Sequence, residues 1–136
     1  MKNISYKIII IVLLQFSFFM LKGYSQDAVS VSGKVVSAIK TGNAKELASY
    51  FHSNIELTVL DNDGTYSKSQ AEIIIKDFFT KNPPKDFSIN HNGSSKDMSQ
   101  FFIGSYKTTN QQTYRIYFLM KSLSDKMLIQ QLQIQE

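Results

Sequence analysis

SKSQAEIIIKDFFTKNPPKDFSINH, residues 67–91, changes its period halfway along, and that change decides the fold. In its first half Ala71, Ile74, Ile75, Phe78 and Phe79 recur at i, i+3, i+4, i+7 and i+8, the apolar stripe of an amphipathic helix. Ser67 followed by Gln70 is a capping box that starts this helix. Asn82-Pro83-Pro84 stops it, because a proline lacks the next helical N–H and disfavours helix in the residue before it. Beyond the prolines Phe87, Ile89 and His91 alternate with Ser88 and Asn90, the two-residue period of a half-buried strand.

The two-residue period then persists. Further strands are predicted near 99–109, 113–121 and 126–135, separated by polar turns at 94–97, 110–112 and 124–125. Upstream, Ile55, Leu57 and Val59 alternate with Glu56 and Thr58, and Asp61-Asn62-Asp63-Gly64 reverses the chain into a short return strand at Thr65 and Tyr66. Before that hairpin two helices are predicted. The first covers 28–39, with Val31, Val35 and Ile39 on one face; the second starts at Asn43 with Glu46 closing a capping box, buries Leu47, Tyr50 and Phe51, and breaks at His52-Ser53-Asn54. Helices gathered early and strands late, with no βαβ alternation, define an α+β domain of three helices packed on a curved antiparallel sheet.

This order of elements resembles the nuclear transport factor 2-like superfamily, the cone also described as SnoaL-like or cystatin-like. The segments GNAKELASYF (42–51), YSKSQAEIIIKDFF (66–79), FSINHNGSS (87–95) and TYRIYF (113–118) are similar to those of small exported bacterial proteins known only as a domain of unknown function. The resemblance covers about 28–135. It implies a cone with an apolar pocket between sheet and helices, and pairing of two copies through the outer sheet face. It implies no activity, since the superfamily holds isomerases, dehydratases, cyclases and members without catalysis. On the strand 113–121, Tyr114, Ile116, Phe118 and Met120 share one face and Tyr117 and Leu119 the other, so a homodimer through the sheet is an expectation.

Residues 1–25 read as a cleavable signal peptide. Lys2 and Lys7 precede an apolar run from 8 to 21, and Gly23-Tyr24-Ser25 forms a small-x-small cleavage site before Gln26. That run is 14 residues long, short of the roughly 20 a membrane span requires. The expectation is therefore a secreted or periplasmic protein, one domain over 26–136, with no membrane attachment after cleavage. Losing Lys2, Lys7 and Lys22 lowers Lys plus Arg from 15 to 12 against an unchanged 11 acids, a net +1 in place of +4. With Arg115 the sole arginine and the lysines scattered, no stripe of cations exists to follow a phosphate backbone, and nucleic acid is not an expected partner. The chain has no cysteine, so no disulfide supports the fold.

The sequence lacks a thiol nucleophile, a Gly-x-Ser-x-Gly elbow, a phosphate loop, a dinucleotide fingerprint and a His-Glu-x-x-His motif. Neither cofactor nor metal is expected. Asp61 to Glu72 approaches calcium-loop spacing, but Tyr66 stands where the sharp turn needs glycine, so hairpin followed by helix cap is the better reading. His52 reads as a cap at a helix end. His91 shares a strand face with Phe87 and Ile89, where it is either a core histidine or a general base in a pocket; an Asn92-Gly93 turn or bulge would instead leave it near a strand end. Arg115 either clamps a ligand carboxylate or pairs with Glu56 or Asp86. Tyr50, Tyr66 and Tyr106 complete the candidate ligand-binding set, with core packing as their competing role.

Two functions follow from these residues. One is a non-catalytic module binding a small apolar or acidic ligand, or a protein partner. The alternative is an enzyme of isomerase or dehydratase type, with His91 as base, Tyr106 or Tyr50 polarising a carbonyl and Arg115 orienting the substrate.

Overall fold

The structure, a computed structural model, describes residues 26–136, with side chains from Val31 onward; residues 1–25, expected to be a signal peptide, lie outside the described residues. The elements run α1 (Gln26–Thr41), α2 (Ala44–Ala48), β1 (Phe51–Val59), β2 (Asn62–Ser67), α3 (Lys68–Lys81), β3 (Pro84–Ser94), β4 (Gln100–Thr108), β5 (Thr113–Leu123) and β6 (Lys126–Gln135). This is an α+β chain with three described helices and one six-stranded, curved sheet.

Local chemistry explains most boundaries. At the start of α3, Ser67 Oγ accepts from Gln70 N at 3.3 Å while Ser67 N donates to Gln70 Oε1 at 3.1 Å, so the predicted capping box forms in full. At its end the Asn82 backbone N–H and side-chain amide both donate to Phe78 O, at 2.8 and 3.1 Å, and Pro84 then opens an edge strand, where a missing N–H is tolerated. Helix α1 closes in a Schellman motif: Gly42 N donates to Ile39 O at 3.1 Å and Asn43 N to Ala38 O at 2.9 Å, with Gly42 at φ +65°. Only glycine takes that left-handed conformation without strain.

Helix α2 is shorter than predicted. Asn43 caps it, accepting from Glu46 N at 3.0 Å, but the box is only half made because Asn43 N already serves Ala38 O and the Glu46 carboxylate accepts from the Tyr50 hydroxyl. Phe51, expected on the helix, instead begins β1 opposite Ile129, and Tyr50 O accepts from Ile129 N at 2.7 Å. His52 is consequently a strand residue, its Nδ1 2.9 Å from Asn54 O, rather than a helix-end cap.

The strand order is β2-β1-β6-β5-β4-β3. Four of its five pairings are antiparallel, but β1 and β6 run parallel, so the expected all-antiparallel sheet is corrected to a mixed one. The reason is topological. Strand β6 returns from β5 and lies down between β5 and β1, where its direction matches that of β1.

One sheet face, termed inner here, carries the core. Ile55, Leu57, Tyr106, Ile116, Phe118, Met120, Leu132 and Ile134 are buried there, and Ala71, Ile75, Phe78 and Phe79 are the buried residues of α3. Phe78 meets the Tyr114 ring edge-on at 5.2 Å and lies 5.7 Å from that of Tyr106, which joins α3 to β4 and β5. At the adjoining edge strand Lys40 of α1 reaches Asp86 of β3 at 3.3 Å across water-exposed surface.

Candidate functional site

The inner face holds the most organised polar cluster, and it is closed. Tyr106, fully buried on β4, donates to Asn82 O at 2.6 Å; the Tyr114 hydroxyl on β5 lies 3.0 Å from Asn82 Oδ1 and 2.9 Å from Gln112 Oε1. These bonds attach the end of α3 to the sheet. Desolvation by burial, reinforced by the neighbouring Tyr114, holds the Tyr106 hydroxyl far above the ordinary tyrosine range. The folded state thus keeps this proton when an unfolded tyrosine has lost it, so stability present below about pH 10 falls as pH rises further. In a Tyr106→Phe variant that alkaline slope is expected to flatten, with a loss of about 1–3 kcal/mol at neutral pH from the orphaned Asn82 carbonyl. Urea unfolding at pH 7 and pH 10.5 measures both. An unchanged slope would remove Tyr106 as its origin.

The outer face divides into two halves. Cross-strand partners on it form the row His91, Ile103, Tyr117, Gln133, Thr58, Asp63 and the adjoining row Gly93, Phe101, Leu119, Gln131, Glu56, Thr65. On β4 and β5 these rows are apolar: Phe101, Ile103, Tyr117 and Leu119 are all half-buried. On β6, β1 and β2 they are polar and line an open groove of about 530 Å³ that also takes in Gln135. Thr58 Oγ1 donates to Asp63 Oδ1 at 2.8 Å. A second open cleft, about 650 Å³, lies by Gly42, Lys45, Glu72, Lys76 and Pro84; Lys45 and Lys76 are exposed and Glu72 is half-buried.

The candidates from the sequence do not converge. Tyr106 is in the core cluster just described; Tyr66 is half-buried on β2 opposite Ile55; Tyr50, at the junction of α2 and β1, donates to Glu46 Oε1 at 3.0 Å. Burial and the Glu46 carboxylate raise the Tyr50 hydroxyl above its ordinary range. His91 and Arg115 are exposed on the outer face. A bulge between Ile89 and His91 moves the histidine off the face of Phe87, and its ring ends 5.9 Å from that of Phe101. Asp86 is held by Lys40, and among the described residues Arg115 enters no ion pair. No three His, Asp or Glu side chains gather as metal ligands among the described residues, and no described helix is long and apolar enough to cross a membrane.

Sequence reasoning passed over Gln131, Gln133 and Gln135. The signal was present in QLQIQ (131–135), where every outward position is an amide and every inward one is aliphatic.

Comparison with known proteins places this arrangement. A family described as a domain of unknown function, DUF4783, matches residues 32–135. A crystal structure of a DUF4783 family protein from Bacteroides ovatus is similar at 31% identity and a TM-score of 0.70, covering 76% of this chain and 92% of that one. One from Bacteroides fragilis is similar at 32% identity and a TM-score of 0.69, covering 76% and 95%. An NTF-2 like protein of unknown function from Shewanella oneidensis shares the fold at 12% identity, with a TM-score of 0.58 over 82% of this chain and 98% of that one. No curated protein matches the chain.

Proposed function

The chain belongs to the DUF4783 family, whose fold is nuclear transport factor 2-like, and from that premise we propose that it is an exported, non-catalytic binding module that engages its ligand on the outer face of the sheet. One contrast carries the reading. The centre of the inner face is filled with side chains at 0–2% exposure, including Tyr106, Phe87, Phe118 and Met120, with Ile89 and Phe102 half-buried toward β3, whereas the outer face places half-buried groups beside an open groove. Among the described residues, those packed rings occupy the centre of the inner face, where a cone pocket would hold an apolar ligand. An acidic ligand at the groove would face Glu56 and Asp63 with no cation between them. The proton-transfer alternative needs His91, a tyrosine hydroxyl and Arg115 around one substrate, and they are divided between the two faces.

A second copy is the competing occupant of this face, favoured by the apolar half on β4 and β5. A standard interface buries about 800 Å² on each partner around an apolar centre. Among the described residues the large hydrophobic side chains most exposed are Leu60, Ile73, Met98 and Leu123; Leu123 ends β5, and Phe101, Ile103, Tyr117 and Leu119 of the apolar half are not among them. The purified protein is therefore expected to sediment as a monomer across a hundredfold range of concentration. Self-association that Leu119→Lys abolishes would assign the face to a second copy and overturn the reading.

A further inference from the structure

We propose, resting on the outer-face reading above, that the groove over β2, β1 and β6 takes a neutral polyhydroxylated ligand, a stretch of carbohydrate chain. The groove is rich in hydrogen-bonding capacity that the protein does not use. Gln131 and Gln133 are half-buried, Gln135 follows on the same face, and among the described residues none of the three side-chain amides bonds to another protein group. Each primary amide offers two donors and an acceptor oxygen with two lone pairs. Alternate residues of one strand repeat at about 6.6–6.8 Å, so the amides form an evenly spaced row along the groove.

Opposite that row, Glu56 offers carboxylate oxygens that only accept, and Asp63 retains accepting capacity beside its bond from Thr58. A ligand satisfying both walls must donate to the carboxylates while donating to and accepting from the amides. Hydroxyl groups do this. Anions, including phosphate chains, are repelled by the two carboxylates. A divalent cation finds too few ligands, since the described residues bring no third carboxylate or imidazole to the pair. A purely apolar molecule would strand the amides without partners.

Tyr117 and Leu119 complete the argument. They are the cross-strand neighbours of Gln133 and Gln131 and give the polar row an apolar border. A sugar ring has the matching asymmetry, with hydroxyls at its rim and C–H bonds on its face, and the negative face of an aromatic ring suits those C–H bonds.

The test is an NMR titration of the isotopically labelled protein with neutral gluco-, manno- and xylo-oligosaccharides. A saturable shift of the Gln131 and Gln133 side-chain amide signals and of the Tyr117 ring is expected with at least one of them. Gln133→Glu keeps the side-chain size but replaces the amide donors with a third carboxylate; it should weaken that binding at least tenfold and leave the unfolding midpoint unchanged. If none of the oligosaccharides perturbs the groove at millimolar concentration, the carbohydrate proposal fails; a neutral peptide that shifts the same signals would then preserve the outer-face reading. Saccharide binding that shifts Tyr106 and Tyr114 instead would overturn both. Equal affinity for wild type and Gln133→Glu would remove the amide row from recognition.

Discussion

Phe118→Ala is expected to cost the fold about 3–5 kcal/mol, the range for deleting a fully buried aromatic side chain. Phe118 is 0% exposed at the middle of β5, with the Phe102 ring stacked on it at 4.8 Å and 15°. Its strand neighbours in the pairings with β4 and β6 are Phe102 and Leu132, so truncation opens a void between three strands that have backbone hydrogen bonds holding them at fixed spacing. Such a site collapses poorly. Against a typical domain stability of 5–15 kcal/mol the loss brings the variant close to the folding threshold. Urea unfolding should show a lower midpoint with an unchanged slope. A loss below about 1 kcal/mol would mean that the strands close over the gap, contrary to the packing described.

Gly104→Ala should cost about 3 kcal/mol, the upper end for overpacking by a single methyl group. Gly104 is buried on β4 opposite Ile89, immediately before the β3 bulge. A Cβ there would lie 2.5 Å from Phe87 Cε2, 2.6 Å from its Cζ and 2.6 Å from the Ser88 carbonyl oxygen. The ring can tilt; the carbonyl belongs to the neighbouring strand and cannot. Adding Phe87→Leu should therefore restore only part of the loss, and the double-mutant cycle should show coupling. Full restoration would assign the whole penalty to the ring. Strict additivity would mean that the glycine and Phe87 do not compete for the same space.

Features governed by neighbours in the chain were the ones open to sequence reasoning. Ser67 and Gln70, the stripe from Ala71 to Phe79, and the proline stop each act within a few residues, and helix α3 follows them closely. Strand alternation was equally readable on β5, where Tyr114, Ile116, Phe118 and Met120 all turn inward. What escaped depended on distant partners. The Leu47, Tyr50 and Phe51 spacing suits a helix, yet Phe51 is taken by a parallel pairing with Ile129, 78 positions away. The face of His91 is reversed by one bulged residue, and a period-2 pattern fixes side-chain direction only while the register holds. The amide row was visible as letters, but its groove exists only because β1 and β2 are laid beside β6.

The placement of β6 also dictates the order in which this molecule can be assembled. Until Lys126–Gln135 is in position, the sheet exists as two unconnected pieces, the β1–β2 hairpin and the β3–β4–β5 meander, each with an unpaired edge facing the gap. No local nucleus can bridge them, because closure requires contacts across most of the chain, and loop closure of that kind slows folding. A nascent chain emerging N-terminus first must therefore keep two sticky edges unpaired until β6 arrives, and a shielding factor acting on the unfinished polypeptide would have those edges as its target.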